Sequence, residues 1–272
     1  MSEALVVRDV GCRLRSGRVI LREVSATFEA GSVTALVGEN GSGKSTLARI
    51  LAGVDRSDSG AVQRPPGRTH LVPERAPALA GCSTQTLARA FAPRGAIRTS
   101  VDTRLTASLA QLGFSHDATT PLSRLSKGNL QKAHLAVAYA VTPSAAIIDE
   151  PATGLDVRAR TAATRLLRGL ADEGSVVIIT AHTTVADVDQ SLQLLAGRLV
   201  AMDAPGDGRW FVVRWRGVDL RPRAVIGSLV EPDHDGWRAR VAQRDLERFL
   251  VTAVDAGAEV VGVTAATLGD EQ

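Results

Sequence analysis

The sequence predicts an α/β fold: a parallel sheet covered on both faces by helices, preceded by an antiparallel β-subdomain and followed by a small α+β appendage. Three observations carry this prediction. The runs Ser32–Val37, Ala145–Asp149 and Ser175–Thr180 are strand-sized and almost uninterrupted by polar residues, as strands buried on both faces are. They alternate with segments in which apolar residues recur at spacings of three and four. Beyond Met202 the composition changes, since five of the nine aromatic residues (Trp210, Phe211, Trp215, Trp237, Phe249) fall in the last quarter of the chain.

The elements follow in order. The runs Ala4–Val7, Val19–Leu21 and Val24–Phe28 predict antiparallel strands ending at Gly31. Ser32–Val37 is a strand that leads directly into a glycine-rich stretch and then the apolar helix Leu47–Leu51. A short strand is expected at His70–Pro73. Between Ser83 and Leu122 the pattern is helical, with Leu87, Ala90 and Phe91, then Leu105, Leu109 and Leu112 at spacings of three and four. A further helix is expected from Gly128 to Ala140, and another over about Val157–Asp172 between two buried strands. After a turn at Pro205–Gly208, strands are expected at Phe211–Trp215, Trp237–Val241 and Ala258–Val263, with a helix at Arg244–Ala256.

Composition narrows the class. In 272 residues, 44 % are hydrophobic and 22 % charged, values that exclude global disorder and fibrous repeats. The longest apolar runs are far short of the ~20 residues that a membrane-spanning helix needs. The acidic N-terminus lacks an apolar leader core, and two cysteines, Cys12 and Cys82, are too few for a disulfide framework, so a reducing, cytosolic setting is expected. The net charge of +3 is spread along the chain without a dense basic block, so nucleic acid is not an expected partner. Only Lys44, Lys127 and Lys132 among the 32 basic residues are lysines. A lysine kept in an arginine-rich chain marks a place where a compact ammonium is required.

Gly38-Glu39-Asn40-Gly41-Ser42-Gly43-Lys44-Ser45-Thr46 fits the phosphate-binding pattern G-x-x-x-x-G-K-[ST] between a strand and a helix. Glycines there let successive backbone N–H groups point at a phosphate, and the helix N-terminus adds partial positive charge. Lys44 reaches the β- and γ-phosphates of a nucleotide, and Ser45 offers a hydroxyl to Mg²⁺. Asp149 and Glu150 end a buried strand. There Asp149 would hold Mg²⁺ and Glu150 would activate the attacking water.

Leu125-Ser126-Lys127-Gly128-Asn129, followed by Leu130-Gln131-Lys132, stands between these motifs, and Thr153-Gly154-Leu155-Asp156 follows the acids. In this order the motifs resemble the nucleotide-binding domain of ATP-binding cassette (ABC) proteins over about residues 4–200. The family signature is Leu-Ser-Gly-Gly-Gln; Lys127 and Asn129 here look similar to the variant in cassettes that drive two-component, drug-export-type permeases. The resemblance implies a P-loop NTPase core in residues 1–204, with a helical subdomain at about 83–125 and a C-terminal α+β accessory domain at 205–272. It implies ATP and Mg²⁺ as ligands, and a composite site in which Ser126, Gly128 and Asn129 of one cassette cap the γ-phosphate held by another, with Asp156 at the interface. His182 matches the family's switch histidine. Arg15 stands where an aromatic residue normally stacks on adenine, and Glu74, after Leu71-Val72-Pro73, stands where the family has Gln and would also ligate Mg²⁺.

The implied activity is ATP hydrolysis that powers a membrane exporter. The implied partners are an integral-membrane permease and a second cassette, identical or not, with the chain peripheral on the cytoplasmic face of the membrane. Two alternatives stand beside it: a soluble ATPase acting on ribosomes or nucleic acid, favoured by the basic pI near 9.3, and a regulatory cassette with little turnover, favoured by Arg15 and Glu74.

Overall fold

A computed structural model describes residues 4–266 apart from 15, 183–184, 186–187, 203–209 and 221–228. Two compact units divide the chain, Met1–Leu199 and Val200–Gln272. The turn expected at Pro205–Gly208 lies outside the described residues.

The first unit opens with strands β1 (Leu5–Arg13) and β2 (Val19–Phe28), then β3 (Val33–Val37), helix α1 (Lys44–Leu51), and strands β4 (Ser59–Gln63) and β5 (Thr69–Val72). Helices α2 (Thr84–Phe91), α3 (Arg98–Gln111) and α4 (Lys127–Val141) follow, α4 after a 3-10 turn at Leu122–Arg124. Strand β6 (Ala145–Ile148), helix α5 (Val157–Asp172) and strands β7 (Val176–Ala181), β8 (Gln190–Leu195) and β9 (Arg198–Met202) complete it.

An antiparallel sheet of order β2-β1-β4 stands beside β3 in the sequence, and a six-stranded sheet has the order β5-β6-β7-β3-β8-β9. In the larger sheet β5, β6, β7, β3 and β8 run parallel. All residues of β3 and β6 are buried, in keeping with sequences that are apolar apart from Thr34. Helix α1 sets Leu47, Ala48, Ile50 and Leu51 into a core shared with Phe28, Leu36, Ile147 and Ile178. Burial of each large aliphatic side chain in such a core is worth roughly 1.5–3 kcal/mol.

In the helical segment, Leu105, Leu109 and Leu112 are buried as expected. The inward face of α2 differs from the expected Leu87, Ala90 and Phe91: it is Thr84, Leu87 and Ala88. Phe91 is 41 % exposed and stands edge-on against the His70 ring, with centroids 4.8 Å apart. One turn of helix was therefore phased by the wrong residue, because the Phe covers an imidazole at the rim and not the core. Arg104 of α3 ties this segment to the parallel-sheet core. It forms a bidentate pair with Glu173 at 2.9 and 3.0 Å and lies 4.4 Å from the centroid of the Tyr139 ring.

The second unit contains β10 (Trp210–Arg216), β11 (Leu229–Asp233), β12 (Gly236–Ala242), helix α6 (Gln243–Asp255) and β13 (Glu259–Ala266). Its antiparallel sheet has the order β11-β12-β10-β13. Val213, Trp215, Ala239 and Val241 of the sheet pack on Phe249 and Ala253 of α6. Trp215 is buried, meets Phe249 at 5.5 Å and donates its indole N–H to the Val218 carbonyl at 2.9 Å.

Candidate functional site

Four adjacent parallel strands release their chains at one edge of the large sheet, in the order β5, β6, β7, β3. Glu74 follows β5, Asp149 and Glu150 follow β6, His182 follows β7 and Gly38 follows β3. Register aligns Val72 with Ile148, Ile148 with Ile179, and Val37 with Ala181, so these carboxyl ends stand side by side. Segments far apart in sequence thereby meet at the crevice where open α/β sheets bind ligands.

The loop Gly38–Thr46 is built for a phosphate group. Gly41 and Gly43 have φ of +78° and +107°, which a residue with a β-carbon adopts only under strain. A Cβ on Gly38 would lie 2.8 Å from the Leu194 carbonyl oxygen, so at that position it is the close approach that favours glycine. Gly43 is the N-cap of α1, and no side chain caps the N–H groups that follow. Helices α2, α4 and α5, by contrast, are capped by Ser83, Ser126 and Asp156. The free N–H groups of Lys44, Ser45 and Thr46 and the helix dipole suit a bound anion.

Lys44 is buried, and its Nζ donates to the carbonyls of Gly38 at 2.6 Å and Glu39 at 3.0 Å. Burial lowers its pKa below the usual lysine range, and the charges of Glu150, Asp149 and Glu74 pull it back up. Three carboxylates thus face one ammonium.

Thr180, absent from the residues singled out in the sequence, organises the acids. Its Oγ1 donates to Asp149 Oδ1 at 2.5 Å and accepts the Glu150 backbone N–H at 3.0 Å. Glu150 sits at φ +52°, and this left-handed conformation costs on the order of 1 kcal/mol in a non-glycine residue. Its Oε2 accepts from Thr153 Oγ1 at 3.0 Å, and its Oε1 lies 2.6 Å from His182 Nε2. The signal for Thr180 was present in the sequence: it is a hydroxyl at the end of the otherwise apolar strand Val176–Ile179.

Ser126 is the N-cap of α4, accepting the Asn129 N–H at 3.3 Å, and Asn129 Nδ2 donates to Ser115 at 3.1 Å. A Cβ on Gly128 would lie 2.8 Å from the Gly154 carbonyl oxygen. Lys132 Nζ lies 3.4 Å from Asp156 Oδ2, while Asp156 Oδ1 caps α5 through Ala159 N–H at 2.9 Å. The α4 N-terminus and the loop after Glu150 are therefore joined to each other. Among the described residues, no hydrogen bond or ion pair joins either of them to Gly38–Thr46 of the same chain. Arg15 lies outside the described residues.

The donor set fits a divalent cation: the Ser45 side chain is exposed at the head of α1, and Asp149 and Glu74 both act on Lys44.

The family model described as ABC transporter matches residues 21–153. The zinc import ATP-binding protein ZnuC 1 of Hahella chejuensis is 32 % identical over 196 residues, covering 69 % of this chain and 73 % of that protein. An ABC transporter ATP-binding/permease protein of Mycobacterium tuberculosis is 31 % identical over 265 residues; the match covers 88 % of this chain, which spans only 29 % of that protein. Among solved structures, an ATP binding subunit of an ABC transporter superposes with a TM-score of 0.66 at 24 % identity, covering 72 % of this chain and 88 % of that one.

Proposed function

The chain belongs to the ABC transporter family as an ATP-binding subunit, an ATPase coupled to membrane transport, and from this premise we propose that two cassettes close on ATP at composite sites and thereby drive a permease. One observation carries the reading. Lys44, Glu74, Asp149, Glu150 and His182 follow neighbouring strands at one edge of the large sheet, while Ser126 accepts from Asn129 N–H, Lys132 of the same helix pairs with Asp156, and among the described residues neither segment is hydrogen-bonded or ion-paired to Gly38–Thr46.

The chemistry follows from the residues. The N–H groups from Gly41 to Thr46 and the Lys44 ammonium hold the β- and γ-phosphates; Lys44 exchanges its loop carbonyls for phosphate oxygens. Mg²⁺, held by Ser45, Asp149 and Glu74, would neutralise charge on the phosphates. Glu150 takes a proton from the attacking water. In the arrangement described, both of its oxygens are engaged, by His182 and Thr153, so one must be released to water. His182, freed, points its Nε2 at the charge that develops on the γ-phosphate. Ser126 Oγ accepts from Asn129 N–H and still has its own proton to donate across the interface.

Glu150→Gln tests this. Gln keeps the shape and both contacts but cannot take a proton. Light scattering should show an ATP-dependent shift from 28.5 kDa to about twice that mass. A monomer that binds ATP without shifting would refute the homodimeric composite site.

Export is the direction we propose, on the Lys127 and Asn129 variant of the signature segment. Import is the second reading, favoured by the zinc import relatives. Among the described residues no helix is long and apolar enough to cross a membrane; the cytoplasmic face of the membrane, beside a permease, is the place we propose on the family assignment. Residues 205–272 are proposed as an accessory domain outside the nucleotide chemistry. With the chain's own permease in vesicles, ATP-driven efflux supports export and uptake supports import.

A further inference from the structure

We propose that a cavity between α5 and β7 binds a small, uncharged aromatic compound of about two fused rings, and that its occupation holds Glu150 and His182 together and slows hydrolysis. The second half rests on the reading of Glu150 as the base; the first does not.

The cavity measures about 280 Å³ and is lined mostly by apolar side chains. Ala163 and Leu167 of α5 form one wall, and Ile179 and Ala181 of β7 another. Glu150, Thr153 and His182 stand at one end. The other end is marked by Val33, which pairs with Val177 in register, and by Arg168, two turns along α5 from Arg160. An ion pair ties that far end together: Asp189 accepts from Arg168 at 2.7 Å and from the Val33 N–H at 2.8 Å.

Two properties of the lining decide what it takes. The first is that its hydroxyls are committed. Thr153 donates to Glu150 at 3.0 Å, Thr164 to the Arg160 carbonyl at 3.2 Å and Thr180 to Asp149 at 2.5 Å. The second is charge. Arg160 Nε donates at 2.9 Å to the Leu155 carbonyl, in the loop after Glu150, so this cation and the Glu150 carboxylate belong to the same end. Arg168 is paired with Asp189. An ion of either sign would give up its hydration there without finding an unmatched partner. An uncharged ring has no such cost, and the exposed Arg160 guanidinium offers it a flat cationic face. Size follows from volume. An apolar cavity of about 150 Å³ takes one benzene ring, so this one takes roughly two.

The effect on catalysis is geometric. Glu150 Oε1 lies 2.6 Å from His182 Nε2 and Oε2 accepts from Thr153, and one oxygen must be released before it can take a proton from water. Ala152, Thr153 and His182 all line the cavity, so a ring packed against them opposes that release. Among the described residues that line it, none belongs to Gly38–Thr46, so nucleotide binding is left as it was.

The probe is 2-naphthol, which is uncharged at neutral pH and can leave its hydroxyl at the mouth. Titrated by calorimetry into the full chain without nucleotide, it should bind one to one. Ala163→Leu fills the cavity and should weaken binding at least tenfold. If that variant does not fold, Leu167→Ala, which enlarges the cavity, should shift preference at least threefold toward the three-ring anthrol. The matching naphthoate and naphthylmethylamine carry the same rings with one charge of either sign, and should bind at least tenfold more weakly. Saturating 2-naphthol should lower the parent's kcat for MgATP at least fivefold and leave KM within twofold. Lack of saturable binding, binding indifferent to the substitutions, or a charged analogue that matches 2-naphthol overturns the proposal. So does a raised KM with kcat unchanged, which would put the compound in the nucleotide site. An unchanged kcat with the cavity saturated refutes the coupling to Glu150. A parent chain without ATPase activity would instead sink the reading of Glu150, and with it the coupling, while the calorimetry would still decide the cavity.

Discussion

Replacing Thr180 with Val tests whether one buried hydroxyl holds both Asp149 and Glu150. The side chain is fully buried, and Val has almost the same shape, so no cavity opens and the loss is confined to hydrogen bonds. Two are lost. Asp149 Oδ1 loses a charge-assisted partner at 2.5 Å, and the Glu150 N–H at 3.0 Å is left without an acceptor. Hydrogen bonds to charged groups are worth about 1.5–3 kcal/mol, and an orphaned buried donor costs about 1–3 kcal/mol. The sum is about 2.5–6 kcal/mol, a large share of the ~5–15 kcal/mol that holds a typical domain folded. Urea unfolding followed by far-UV circular dichroism measures it. Function should suffer separately. Glu150 holds its left-handed backbone partly through this N–H, so kcat should fall about a hundredfold, within the range for a misplaced general base. MgATP binding should fall less than kcat, because among the described residues Thr180 makes no hydrogen bond to Gly38–Thr46 and would act on the metal only through Asp149. Thr180→Ser keeps the hydroxyl and should recover most of kcat. A Val variant within 1 kcal/mol and threefold of the parent in stability and kcat would refute the reasoning.

Three further expectations follow from other contacts. Gly128→Ala pushes a methyl to 2.8 Å from the Gly154 carbonyl oxygen, so the α4 N-terminus must shift by several tenths of an ångström; in the Glu150→Gln background this should weaken ATP-driven dimerisation at least tenfold by light scattering while leaving monomer ATP affinity unchanged. Glu74→Gln removes one of three carboxylates acting on Lys44; ATP binding in EDTA should tighten about tenfold, as expected for deleting one like charge near the phosphates, and an unchanged Mg²⁺ dependence of binding would disprove a metal role for Glu74. Stability should fall in acid because of His70, which burial and the neighbouring His134 hold down to about 4 from 6.5. The unfolded chain takes the proton first as the pH drops, so this contribution is whole above about pH 6.5 and is lost toward pH 4, with about 2 kcal/mol gone by pH 5. His134, lowered chiefly by burial, acts in the same sense. Urea midpoints at pH 7.5 and 5 should converge in His70→Gln, and an undiminished acid slope in that variant would rule His70 out.

What could be read from the sequence followed how locally each feature was encoded. The β3-loop-α1 unit, the acids after β6 and the α4 cap are written in consecutive residues, and the structure has Gly43, Asp149 and Ser126 at the ends of the expected elements. Strands β4 and β8 were not foreseen. Ser59–Gln63 is largely exposed and Gln190–Leu195 carries two glutamines, so neither shows the apolar run that marked β3 and β6. Their place is set by pairing with β1 and β3, which is tertiary information. Thr180 was overlooked for a similar reason: its function exists only once β6 and β7 lie side by side, with Ile148 opposite Ile179.

Composition nevertheless carried one message as far as the site. The chain has three lysines among 32 basic residues, and all three lie at the chemistry or beside the loop that follows it. Lys44 fits its ammonium between the Gly38 and Glu39 carbonyls. Lys132, 9 % exposed, bridges the Gly113 carbonyl at 3.2 Å and Asp156 at 3.4 Å. The Lys127 stem runs about 3.9 Å from where a Cβ on Gly154 would stand. A guanidinium is wider, planar and donates in a fixed fork. In the loop it would splay the two carbonyls that hold Lys44, and under α4 it would press Asp156 away from the Ala159 N–H it caps. Arginine meets surface carboxylates, as Arg49 meets Asp55 and Arg89 meets Asp102, and also backbone carbonyls, as Arg64 meets those of Ile50 and Leu51. Lys44 and Lys132 each place a point charge against backbone oxygens, in the loop Gly38–Thr46 and at the joint between α4 and the segment after Glu150.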